Sequence, residues 1–134
     1  MEYNLLKKQE EQEKDHREMT YQIIGAAMAV HRALGHGFLE GVYGDALEIE
    51  FQERMIPFER EKTIDISYKG KPLKHHYVAD FVCFDSIIVE LKAVDSIMPV
   101  HRSQLINYLN ATDYHIGLLI NFGESSLKYE RFRN

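Results

Sequence analysis

The chain has 134 residues, 45% hydrophobic and 28% charged, with a net charge of -5 and a pI near 5.8. That length fits one domain with a proper core, and the acid excess argues against a general electrostatic grip on polyanions, leaving only a local patch for such a contact. The single cysteine, Cys83, excludes an internal disulfide, and no apolar run approaches the ~20 residues of a membrane helix, so a cytoplasmic protein with no membrane partner is expected.

In chain order, residues 1–17, "MEYNLLKKQEEQEKDHR", are charged and lack a clear apolar stripe. They read as a frayed or loosely helical extension, unlike a secretory signal, ahead of a domain over residues 18–134. Ile23, Ala27, Val30 and Leu34 recur at helical spacing, with Thr20 the expected N-cap and Gly35 the stop. After "GHG" a second helix is predicted from about Leu39 to Met55, with Leu39, Val42, Tyr43, Ala46, Leu47 and Phe51 inward and Pro57 ending it. Ile64, Ile66 and Tyr68 alternate with polar residues, and "YKGKP" reads as a turn. Two further strands are expected, about His76–Phe84 and Ile87–Val94. Pro99 suits the first turn of a third helix ending near Ala111. "YHIGLLINF" is almost wholly apolar, which implies a strand covered on both faces, and "LKYERF" suits an edge strand. The order is helix, helix, three strands, helix, strand, strand. It predicts one α/β domain with a central mixed sheet and helices on both sides.

Within the apolar strands stand Asp80, Glu90 and Lys92. Ionised side chains are seldom buried unless paired or bound to a metal. Residues two apart on a strand share a face, so Glu90 and Lys92 point the same way. A loop of Asp85, Ser86 and Ile87 would pair Phe84 with Ile88, Val82 with Glu90 and Asp80 with Lys92, gathering all three charges. A two-residue loop would set Asp80 on the other face unless a bulge restored it. Two convergent carboxylates make a hard oxygen site of the kind magnesium or manganese accepts. The plainer alternative is an ion-paired strand on a half-exposed sheet face.

Asp80 followed by Glu90-Leu91-Lys92 resembles the signature of the PD-(D/E)XK nuclease superfamily, with Ala79 where proline is usual. "GFLEGVY", Gly37 to Tyr43, is similar to the GxxExxY pattern that names one family within it, and "AVHRALGHGFLEGVYGDAL", "IPFEREKTIDISYKG", "ADFV", "IVELKAV" and "LLINFG" support that likeness across most of residues 19–123. The resemblance implies a restriction-endonuclease-like fold and a magnesium- or manganese-dependent nuclease. It implies metal ligation by Glu40, Asp80, Glu90 and the Leu91 carbonyl, with Lys92 acting on the attacking water or the developing charge. Gln104 and Tyr108 resemble a Gln-xxx-Tyr pair that follows the lysine in some relatives. The implied partner is nucleic acid, DNA before RNA, with monomer and homodimer both open.

The other candidates carry plainer readings. Glu40 is equally a first-turn acid suited to the helix dipole, and Tyr43 suits the core. His31 and His101 read as packing or capping groups, His75 and His76 as a surface pair, and Cys83 as an inert core thiol. Lys69, Lys71 and Lys74 form the best basic patch, either a solvated hairpin tip or a phosphate contact. Competing with a nuclease are a non-catalytic module that binds nucleic acid or protein on the same fold, and hydrolysis of a smaller phosphate ester. Metal-dependent turnover separates the first two.

Overall fold

The structure, a computed structural model, describes residues 1–134. Its elements are α1 (Glu2–Leu34), α2 (Glu40–Glu53), β1 (Phe58–Tyr68), β2 (Lys71–Cys83), β3 (Ile87–Lys92), α3 (Pro99–Ala111), β4 (Ile116–Asn121) and β5 (Lys128–Arg133). The strands form one sheet in the order β1-β2-β3-β4-β5. Only β3 and β4 run parallel, joined through α3, and the other neighbours are antiparallel. This is the α/β restriction-endonuclease-like architecture, a mixed sheet flanked by helices.

Two apolar layers hold the sheet. On one face, Ile23, Ala27 and Val30 of α1 and Tyr43, Leu47 and Phe51 of α2 pack on Phe81, Val89, Leu118 and Phe122. On the other, Leu105 and Leu109 of α3 pack on Ile64, Val82, Ile88 and Leu119. Covered on both faces, β4 is buried along its whole length, as its apolar sequence predicts. No helix is long and apolar enough to cross a membrane.

The helix boundaries depart from the sequence reading where local signals compete with tertiary ones. Thr20 is not an N-cap: its hydroxyl donates to the His16 carbonyl at 2.9 Å inside a continuous α1. The charged segment before it is helical from Glu2, and Glu13 reaches Arg131 at 3.1 Å and also pairs with Arg133. Gly35 does stop the helix, at φ 71°, with its N–H on the His31 carbonyl. Leu39, at the N-cap, and Val42, expected inward, are exposed; α2 turns Tyr43, Leu47 and Phe51 fully to the core, with Ala46 partly buried against it as expected. Strand β2 begins at Lys71, ahead of the predicted His76, because the turn carries positive φ at Lys69 (52°) and Gly70 (75°) and lets the ladder close immediately.

A polar clasp fixes the chain leaving β3. Asn121, wholly buried, accepts the Val94 and Gly123 N–H groups, both at 3.0 Å. Its amide donates to the Val94 carbonyl and to Glu124, both at 2.9 Å. The Phe122 N–H bonds the Lys92 carbonyl at 2.8 Å. A Cβ at Gly123 would lie 2.3 Å from the Val94 carbonyl oxygen, so backbone passes where a side chain would stand. Gly123→Ala is therefore expected to cost about 1–3 kcal/mol or more in urea unfolding, the range of overpacked cores. A midpoint equal to wild type would show that this approach is not tight.

Candidate active site

Strands β1 and β2 change phase together at Glu61 and Asp80. Tyr77 and Ala79 face α3, whereas Phe81 and Cys83, also odd-numbered, face α1 and α2. A regular strand would keep all four on one side. On β1, Ile64 faces α3 and Phe58 the other layer, and Glu61 between them has φ 51°. The ladder pairs Arg60 with Phe81 and Lys62 with Ala79 and passes over Glu61 and Asp80. Asp80 therefore sits at the break, between the two faces.

The β2–β3 hairpin has a register two residues from the one expected. Cys83 pairs with Ile87, Val82 with Ile88 and Phe81 with Val89, so the loop is Phe84, Asp85 and Ser86. Phe84 and Asp85 take positive φ, 56° and 52°, without glycine, which hid this loop from sequence reading. Extending the pairing by one step sets Asp80 opposite Glu90 rather than Lys92. A shift of two would preserve every side-chain face in a regular ladder, but the break at Asp80 interrupts the alternation. Glu90 and Lys92 line the α3 cleft, whereas Asp80 lines the depression beside α2, so the three do not share one face as the expected register had them. Beyond Phe81 the backbone ladder is replaced by a side chain: the Leu91 N–H donates to Asp80 Oδ2 at 2.8 Å.

Glu90 and Lys92 point towards α3 and line a cleft of about 210 Å³ with Tyr77, His101, Gln104 and Tyr108. Tyr77 donates its hydroxyl to Glu90 Oε1 and stacks on Tyr108, ring centroids 3.7 Å apart and nearly parallel. Gln104 and Tyr108, four apart on α3, thus share the wall of the cleft that holds Glu90 and Lys92. Lys92 enters no ion pair. Burial, then the neighbouring Asp80 charge, push the Glu90 carboxyl up to about 8, against the pull of the Tyr77 hydroxyl. Burial and Glu90 in turn hold the Tyr77 phenol far above its ordinary range.

Glu40 opens α2 and lines a smaller depression, about 170 Å³, with Gly41, Gly44, Arg60, Glu61, Asp80 and Leu91. Asp80 is thus the meeting point: its carboxylate borders Glu90 on one side and the Glu40 depression on the other. No three acidic, histidine or cysteine side chains are gathered closely enough to ligate one ion together. The chemistry of the donors nonetheless fits a hard divalent cation. Two facing carboxylates, one of them desolvated until it holds a proton near neutrality, are relieved by a cation as well as by a proton. A larger concavity, about 650 Å³ around Tyr21, Met28, Arg54 and Ile56, lies away from these groups and offers no facing carboxylates. Volume is a poorer guide here than charge.

The remaining candidates take structural parts. Tyr43 is buried, stacks on Phe122 at 4.6 Å and donates to the Gly35 carbonyl at 2.6 Å. His101 Nδ1 accepts the Met98 N–H at 3.0 Å and caps α3. His31 contacts the Glu124 carbonyl at 2.9 Å, and His76 lies 3.5 Å from Asp65. Burial pushes the Cys83 thiol up to about 12, leaving it inert. Sequence reasoning missed Tyr77, whose alternation on a half-polar strand marks only an inward side chain, and Asn121, whose clasp depends on contacts 27 residues away.

A family model described as the PD-(D/E)XK nuclease superfamily matches residues 17–133. Among solved structures, the crystal structure of SSO0001 is similar, with a TM-score of 0.54 at 22% identity over 70% of this chain and 49% of that one. This chain spans about half the length of that structure, and a likeness at such identity speaks to the fold alone. No curated protein matches the chain.

The raised Glu90 carboxyl sets a pH dependence. Between the unfolded value of 4.5 and about 8 the unfolded chain releases a proton that the fold retains, so rising pH favours the unfolded state across that window. Glu90→Gln keeps an oxygen acceptor for Tyr77 and removes the titration. In chelator-treated protein, the melting temperature of Glu90→Gln should climb relative to wild type from pH 4.5 to 8 and run parallel above it. Parallel curves across the whole range would contradict a carboxyl held protonated by its surroundings.

Proposed function

The chain belongs to the PD-(D/E)XK nuclease superfamily, and we propose that it is a divalent-metal-dependent nuclease of the GxxExxY family, cleaving phosphodiester bonds at the break between β2 and β3. The observation that carries this reading is the pairing of two facing carboxylates, Asp80 and Glu90, with an unpaired Lys92 beside Glu90 in the α3 cleft. A structural ion pair would have spent the lysine on a carboxylate. We assign residues 18–134 to the nuclease domain and residues 1–17 to an extension of its first helix.

Asp80 and Glu90 would hold magnesium or manganese, with Glu40 and the Leu91 carbonyl as further oxygen donors from the depression they share with Asp80. When bound, such an ion makes a coordinated water more acidic and offsets charge on phosphoryl oxygens. The chain's own residues do the rest. Tyr77 orients the Glu90 carboxylate through its hydroxyl, an outer contact of the kind that fixes a ligand's geometry. From beside Glu90 in the cleft, Lys92 would act on an attacking water or a non-bridging phosphate oxygen, so its charge would count most when the phosphate gains charge. Gln104 and Tyr108 supply an amide and a stacked phenol from α3 in the same cleft, suited to orienting the sugar-phosphate or that water. The substrate is nucleic acid, DNA before RNA.

Cleavage should be tested with magnesium or manganese on a panel of single- and double-stranded DNA and RNA, with chelator as control. Lys92→Met should abolish turnover while manganese affinity measured by calorimetry stays equal or tightens, since a competing cation is gone. Lost manganese binding in a folded Lys92→Met protein would instead make the lysine a partner of the carboxylates. No turnover by wild type on any substrate, with manganese bound, would favour the non-catalytic binding module.

Glu40 is tested apart from the carboxylate pair. As a ligand, Glu40→Gln should lose most manganese affinity and cleavage. As a first-turn acid alone, it should cost about 0.3–1 kcal/mol in a melt with affinity unchanged, and that second result would remove Glu40 from the site.

A further inference from the structure

The β1–β2 hairpin continues beyond the two helical layers. From Ser67 to His76 every residue is exposed, so this length of sheet has no helix against either face. It carries Lys69, Lys71 and Lys74, then His75 and His76, and no acidic residue stands between Asp65 and Asp80. None of the three lysines enters an ion pair. The Lys69 ammonium lies 5.4 Å from the centroid of the Tyr68 ring. A chain of net charge -5 thus concentrates unpaired cations on one projecting ribbon.

The position of the ribbon gives that charge a direction. Strand β2 runs without a turn from the lysines into the cleft, where Tyr77 and Val78 stand beside Glu90 and Lys92. The register shifts between Asp65 and Ser67, where β2 carries the extra residues, so Lys71 stands opposite Tyr68 and Tyr77 opposite Ile64. At about 3.3 Å per residue of β1, Lys74 is ~7 Å and Lys71 ~13 Å along the sheet from Tyr77. Phosphates on one strand of duplex DNA advance about 3.4 Å along the axis per nucleotide, so the two spacings nearly match. We propose that the Lys69–Lys74 arm is a phosphate-backbone clamp, gripping nucleic acid about two to four nucleotides from the bond held in the cleft. The proposal rests on the nuclease reading of that cleft. Such contacts set register and affinity without reading sequence, and each releases condensed counterions. The arm accounts for how an acidic protein would hold a polyanion: the attraction is confined to one ribbon and does not draw on net charge.

The test is a triple variant, Lys69→Ala, Lys71→Ala and Lys74→Ala, beside wild type. Probes are fluorescein-labelled duplex DNA, single-stranded DNA and single-stranded RNA, each in a length series across ~3 to ~12 nucleotides. Binding is measured by anisotropy from low to high salt with manganese present, and cleavage on the same probes. For the probe that wild type prefers, the slope of log affinity against log salt should fall in magnitude by about 2–3 in the variant. KM should rise with kcat unchanged. Wild-type affinity should grow with length until about four nucleotides lie on the arm side, and the variant should lose that growth. Equal salt slopes, equal KM and equal length dependence would overturn the arm while leaving the nuclease reading in place. A wild type that binds, loses slope on substitution and never cleaves would keep the arm and sink the nuclease reading. No binding of any probe by wild type would overturn both.

Discussion

One hydrogen bond organises the functional half of this molecule. The Asp80 carboxylate takes the Leu91 N–H at the point where the main-chain ladder between β2 and β3 stops. An ordinary ladder would satisfy that N–H with a carbonyl and keep the strands at a spacing of about 4.8 Å with regular alternation. Substituting a side chain does three things together. It satisfies a backbone donor that would otherwise be buried without a partner, which costs ~1–3 kcal/mol. It permits the paired phase change at Glu61 and Asp80, so that one strand feeds both apolar layers. It also brings a carboxylate against Glu90 without placing either on a fully solvated face.

That placement costs stability and the cost is visible in the electrostatics. Burial and the Asp80 charge together keep Glu90 protonated to about 8, and the only group pulling the other way among its hydrogen-bond donors from side chains is Tyr77. Tyr77 is itself braced by its stack on Tyr108, so the orientation of Glu90 is tied to α3 and the sheet at once. The clasp of Asn121 and the bare backbone of Gly123 fix the other end of β3, immediately after Lys92. A strand held at both ends fixes where Glu90 and Lys92 stand in the α3 cleft. Functional sites commonly hold such strained or desolvated groups at the expense of the surrounding fold.

Much of the architecture was legible because it follows from periodicity. The unbroken apolar run of β4 announced a strand covered on both faces, and Tyr43, Leu47 and Phe51 at spacings of four announced the buried row of α2. The hairpin at Lys69-Gly70 was legible from its glycine. The hairpin at Phe84, Asp85 and Ser86 was not, since two residues without glycine adopt positive φ there under tertiary constraint. Thr20 misled because a hydroxyl suited to an N-cap bonds equally well to the carbonyl four residues back inside a helix. Of the site, the types and order of Asp80, Glu90 and Lys92 were readable. Their expected gathering on one face rested on a regular ladder, and the break at Asp80 sets that carboxylate between the two faces while Glu90 and Lys92 line the α3 cleft. Tyr77 and Asn121 were invisible as functional supports, because their roles arise from partners distant in sequence.

The account turns on the space between two carboxylates, and a direct look at that space tests it best. Crystals of the wild-type protein soaked in manganese and measured at a wavelength where manganese scatters anomalously would locate any ion without reference to turnover. The account predicts one anomalous peak within coordinating distance of both Asp80 and Glu90, with Tyr77 still on the other oxygen of Glu90. No peak there at saturating manganese, or a peak held by other residues alone, would contradict it.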